Sequence, residues 1–129
     1  MTAAAEAKMT TYVAVAKANQ AWLAWRRGAI AEAQQLGEAA LELWLQFPTP
    51  FPYQWLAVWP LIGIANMFDL DAEVIEHIKA LFGPGQYLPR QPLAGVLKSV
   101  LNAWEAEDSA FFKMQMDKAV EHARELNYL

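Results

Sequence analysis

An all-α fold of three stacked antiparallel helical hairpins, six helices in all, is predicted by three features of this sequence. Apolar residues recur at steps of three and four. Alanine, leucine, glutamate and glutamine dominate, while valine and threonine are sparse and never form a run. Glycine- and proline-containing breaks cut the chain into helix-sized pieces.

The elements follow in order. A first helix runs from roughly residue 4 to 27 and is broken by Gly28. A second, from about 29 to 46, carries the stripe Ile30, Ala33, Gly37, Ala40, Trp44, Phe47. Phe47-Pro48-Thr49-Pro50-Phe51-Pro52 cannot be helical, because each proline lacks an N–H and restrains the residue before it. A third helix spans about 53 to 67. It has no polar face, which predicts burial on all sides, and Pro60 removes its bond to the Leu56 carbonyl. Asp69 or Asp71 can cap a fourth helix, which carries Val74, Ile75, Ile78 and Leu81 and ends near Phe82. Gly83-Pro84-Gly85 and the stretch Pro89 to Pro92 link it to a fifth, about 92 to 105, with Leu93, Val96, Val100 and Trp104 in register. Asp108 or Ser109 caps the sixth, which continues to about Asn127 with Phe112, Met116, Ala119, Ala123 and Leu126 on one side.

Composition narrows the function classes. The 129 residues amount to one domain, with units at about 4–47, 52–82 and 90–127, and suffice for a core without staples. There is no cysteine, so disulfides, thiolate metal sites and cysteine nucleophiles are excluded together. The N-terminus has Glu6 and Lys8 among alanines and no basic region leading into an apolar one, so it does not read as a signal peptide; a cytoplasmic location is expected. The apolar run Trp55 to Ala65 is shorter than the roughly 20 residues a membrane span needs. The net charge is −4 with both signs scattered and Arg26-Arg27 the only adjacent basic pair, which disfavours nucleic acid as a partner.

The three intra-hairpin turns, at Gly28, near Phe68-Asp69 and at Glu107-Asp108, recur with a period of about 40 residues, as in stacked helical repeats. Trp25 and Trp104 lie three residues before their turns, and Ala40 and Ala119 twelve after. Segment Ala14 to Leu45 resembles a tetratricopeptide repeat, through Asn19 and Ala21, Gly28 at the turn, Glu32-Ala33, and Ala40-Leu41-Glu42-Leu43. Lys17 stands where that family favours a large residue, and Phe112 where it favours alanine. The spacing also exceeds the family's usual length of about 34 residues. Over nearly its full length the chain is similar to the degenerate tetratricopeptide-like stacks of bacterial nucleotide cyclases and LuxR-type ATP-binding regulators. The phrases at residues 21–28, 55–65 and 123–129 carry that likeness. The resemblance implies an α-solenoid serving as a protein-interaction scaffold in bacterial signalling or regulation, without catalysis or cofactor.

Catalytic and metal chemistry find little support. Glu73-Glu76-His77 and Asp117-Glu121-His122 have turn-spaced acids, but such spacing is common on a solvated helix face. Both histidines are expected at the surface. Ser99 and Ser109 sit in no nucleophile elbow, and Gly83-Pro84-Gly85 lacks the lysine of a phosphate loop.

The six tryptophans are the most informative feature. In tetratricopeptide stacks the first helices of the units line the concave, ligand-holding face. The resemblance therefore implies a peptide groove of Asn19, Trp22 and Arg26 from the first unit, Trp55, Trp59 and Asn66 from the second, and Lys98 with Glu105 from the third. Tryptophan and arginine are enriched at binding hot spots, although large aromatics also fill gaps between helices. The expected partner is another protein or peptide, with homo-oligomerisation possible. The alternatives are a structural spacer or homodimerisation element, marked by exposed apolar residues on a terminal helix, and a small-molecule or lipid pocket around Phe51, Trp55 and Trp59.

Overall fold

The computed structural model describes residues 2–48 and 50–129, and only the backbone of residues 3 and 4. Thr49, in the proline linker expected to be non-helical, lies outside the described residues. The described chain forms six helices: α1 (Ala3–Arg26), α2 (Ile30–Trp44), α3 (Trp55–Met67), α4 (Asp71–Leu81), α5 (Leu93–Glu105) and α6 (Ser109–Glu125). There is no strand among the described residues, and the fold is all-α.

The three hairpin turns share one hydrogen-bonding scheme. Gly28, Asp69 and Glu107 take positive φ angles of 83°, 56° and 56°. The next residue then reaches back to an alanine carbonyl: Ala29 N–H to Ala24 at 2.8 Å, Leu70 to Ala65 at 2.9 Å, and Asp108 to Ala103 at 3.0 Å. This is the left-handed C-cap that satisfies the last carbonyls of a helix. The accepting residue is a buried alanine each time, where the following helix crosses closely. Glycine takes the first turn without penalty, whereas Asp69 and Glu107 adopt it at a cost that packing must offset.

Capping differs from expectation at one helix. Neither Asp69 nor Asp71 caps α4; its N-cap is Leu70, with no side-chain bond. Asp69 is committed to the left-handed turn, and its carboxylate faces Lys113 at 3.3 Å. Asp71 lies in the first turn, where a negative charge favours the helix dipole. At α6, Asp108 does cap, accepting from the Phe111 N–H at 3.0 Å.

Neighbouring helices pack in sequence order, α1 on α2 through to α5 on α6, and α1 also lies against α3. Every residue from Ala57 to Ala65 of α3 is buried, as its lack of a polar face requires. The two linkers brace one another: Gln86 donates to the Phe51 carbonyl at 2.7 Å and accepts from the Gln54 N–H at 3.2 Å, while Tyr53 and Tyr87 stack at 5.0 Å.

Candidate functional site

The α1–α3 contact creates an aromatic strip. Asn19, Trp22 and Arg26 fall at steps of three and four on α1 and so share a face. Trp55 opens α3 opposite them. Asn19, Trp22, Trp55 and Leu56 line a recess of about 250 Å³, which Asn127 and Tyr128 close. The Arg26 guanidinium lies 4.9 Å from the Trp22 ring centroid, a cation–π contact that holds the cation beside the recess. The Trp22 indole Nε1 is buried and has no acceptor among the described residues. A buried donor without a partner costs about 1–3 kcal/mol, and Trp44 and Trp59 of the core carry the same unpaired indole N–H.

The structure brings four of the seven expected binding residues to this strip, namely Asn19, Trp22, Arg26 and Trp55. The others are placed differently. Trp59 is 1% exposed and belongs to the core. With no polar face on α3, the sequence could not show which of its tryptophans points outward. Asn66 is half-buried in the last turn of α3, where its carbonyl accepts from the Asp69 N–H as part of the hairpin turn. Lys98 projects from α5 over the Phe82 ring, 5.9 Å from its centroid, and does not line the recess. Glu105 lines a different recess, and Phe51 packs on Trp44 at 4.6 Å.

Sequence reasoning missed the residues that cover the strip. Just past the end of α6 at Glu125, the φ of 63° at Asn127 and its N–H bond to the Arg124 carbonyl turn the chain back. Tyr128 then stacks on Trp59 (5.4 Å, 6° between planes) and meets Trp55 edge-on (5.2 Å, 73°). Leu129 is buried beside Gly63, and its carbonyl accepts from Arg26 Nη1 at 2.7 Å. Gly63 permits this approach, since a Cβ there would fall 2.7 Å from the Trp25 ring and 3.1 Å from Leu129 Cδ2. The available signal was an asparagine, tolerant of the left-handed region, followed by two large apolar residues just past a helix.

A second recess, of about 470 Å³, lies where α4 meets the α5–α6 turn and is lined by Asp71, Lys79, Trp104, Glu105, Glu107 and Asp108. Its charged side chains belong to exposed residues, and no unpartnered buried donor lines it. The histidines, expected at the surface, are half-buried there, with part of each side chain exposed. Burial lowers the pKa of His77 below the ordinary histidine value, against the opposing pull of Glu73, Glu76 and Glu38. His122 Nδ1 lies 3.7 Å from Glu125. Among the described residues, no three histidine, aspartate or glutamate side chains converge as a metal-ligand set, and no helix is long and apolar enough to cross a membrane. No protein-family model, curated protein or solved structure matches this chain.

Proposed function

We propose that this protein is a non-catalytic interaction module, a tetratricopeptide-like stack whose α1–α3 strip holds a peptide segment of another protein. One observation carries the reading: the strip gathers an amide (Asn19), an aromatic wall (Trp22 and Trp55), a cation fixed by stacking (Arg26) and the Trp22 indole N–H, which has no acceptor among the described residues. Peptide backbone supplies the carbonyls these donors need, and apolar side chains supply the ring contacts. A role in bacterial signalling belongs to the same proposal and rests on the sequence resemblance alone. The test is Arg26→Glu in a binding assay against a partner isolated from the source cell. We expect at least about a tenfold loss of affinity, the equivalent of one charge-assisted hydrogen bond. Folding stability should fall by only about 1 kcal/mol through loss of the Leu129 bond. Unchanged affinity would refute the groove.

A second reading is favoured by the outer face of α1. Met9, Tyr12, Val13 and Leu23 are exposed large apolar residues on this terminal helix, the mark expected of a homodimerisation element. Sedimentation velocity decides it: a dimer that Tyr12→Glu converts to monomer supports this reading, and a monomeric native chain removes it.

A further inference from the structure

We infer that the recess where the two linkers meet α3 is a second binding site, and that its ligand is a proline-rich segment of another protein, in polyproline II conformation, with an acidic residue at one end. The recess has a volume of about 370 Å³ and shares Trp55 and Tyr128 with the α1–α3 strip. The site goes beyond the groove reading and does not depend on it. Its size falls within the range of about 300–1,000 Å³ that holds small ligands.

Two ring pairs line the recess. Tyr53 and Tyr87 stack at 5.0 Å with 24° between planes, and Trp55 meets Tyr128 edge-on at 5.2 Å. The first pair is set by the backbone of the linkers. The Tyr87 N–H donates to the Pro52 carbonyl at 3.1 Å, and Gln86 bonds both the Phe51 carbonyl and the Gln54 N–H. Yet Tyr53 and Tyr87 are 42% and 59% exposed, and the adjoining Leu88 is 60% exposed. Polyproline II segments dock on aromatic surfaces of this kind. Because the surface is held in place and the ligand is stiff, little conformational freedom is lost on binding.

The polar chemistry selects the same ligand. Phenols, indoles and the Arg90 guanidinium are the polar side chains that line the recess, with no carboxylate or carboxamide among them. Donors therefore outnumber acceptors. A proline amide offers a carbonyl and no N–H, so it brings an acceptor and nothing that needs one. An ordinary peptide brings N–H groups and a sugar brings hydroxyls, and each donor buried without a partner weakens binding. Arg90 is exposed and has no ion-pair partner among the described residues. It is the one charged side chain lining the recess, so its complement is a carboxylate beside the proline run.

The probe is a fluorescein-labelled peptide, Glu-Pro-Pro-Leu-Pro-Pro-Glu, titrated by anisotropy into the full chain; acids at both ends serve either orientation. A control peptide replaces every proline with alanine. The proline peptide should bind at least about tenfold tighter than the control. Tyr87→Ala and Arg90→Glu should each weaken it by at least about fivefold. Both side chains are exposed, so circular dichroism should show the helices unchanged. The native chain gives a readout that needs no variant: saturating peptide should shift the Trp55 indole proton in an NMR spectrum and leave that of Trp104, which lines another recess, in place. Equal affinity for the two peptides would overturn the inference, as would no saturation below about 1 mM. Binding lost in Asn19→Glu but kept in Tyr87→Ala would seat the peptide in the α1–α3 strip, overturning this site and leaving the groove standing. Binding lost in Tyr87→Ala but kept in Asn19→Glu supports this site whatever becomes of the groove, which is tested with the isolated partner. Self-association of the native chain abolished by Tyr87→Ala would make a second copy the occupant and overturn the inference.

Discussion

The two ends of this molecule are packed by different means. Among the described residues, every buried side chain of α1 is alanine (Ala14, Ala18, Ala21 and Ala24), and this helix closes on Ala33 and Ala40 of α2. At the other end the interior is made of large aliphatics: Val74, Ile78 and Leu81 on α4, Leu93, Leu97 and Val100 on α5, with Phe112 and Met116 on α6. In the first region small residues dominate and, apart from Trp44 at the end of α2, there is little side chain to remove. In the second the helices are held apart by volume that can be taken away. The two should therefore respond oppositely to the same change in size: the alanine seam resists growth, and the aliphatic core resists loss.

The sharpest way to break this comparison is Leu97→Ala. Leu97 is wholly buried among α4, α5 and α6, so truncation leaves a cavity and should cost about 2–5 kcal/mol in a denaturant titration. A loss under about 1 kcal/mol would show that this end collapses around missing volume. The converse at the seam is Ala40→Leu or Ala33→Leu, both at fully buried positions. Overpacking should cost about 1–3 kcal/mol, read as a lowered thermal midpoint. Midpoints unchanged in both variants would mean that the seam has room to spare.

A smaller effect probes the join between the regions, where His77 of α4 feels Glu38 of α2. Burial lowers its folded pKa, so the unfolded chain takes up the proton first as pH falls. The neutral histidine's contribution is thus fully present above the unfolded value of about 6.5 and is lost as pH drops through the lower folded value. His77→Gln should flatten that acid-side decline in stability; an unchanged slope between the two proteins would show that other groups set it. The smallest effect belongs to Lys113, whose ion pair with Asp69 is exposed on both sides. Lys113→Ala should change stability by no more than about 0.5 kcal/mol, and a larger loss would mean that this pair fastens α6 to the α3–α4 turn.

Much of the architecture was legible in the residues. The three-and-four spacing from Ile30 to Trp44 marked a helix whose Ala33, Gly37, Ala40 and Trp44 are buried, whereas on α5 the buried side is Leu93, Ala94, Leu97, Val100 and Ala103, and the expected Trp104 is exposed because it lies one position past that side. Gly28 marked a turn because glycine enters the left-handed region freely. The equivalent turns at Asp69 and Glu107 could be placed by period, but not their geometry, since neither residue prefers that conformation in isolation. For the same reason the cap assigned to Asp69 failed: the residue was recognised as polar and helix-adjacent, while its φ angle depended on where α4 had to run.

The candidate site divides along the same line. Asn19, Trp22 and Arg26 lie within two turns of one helix, so their shared face is a local property and was readable from spacing alone. Trp59 was not readable, because a helix apolar on every side offers no contrast from which to assign a direction; its neighbours decided that it enters the core while Trp55 meets the strip. The position of Tyr128 and Leu129 depends on contacts with Trp55, Trp59, Gly63 and Arg26, the last 103 residues away in the chain. Helix and turn follow from forces acting over a few residues. The cover on the strip exists only once α1, α3 and α6 have been brought together, and no local pattern encodes that meeting.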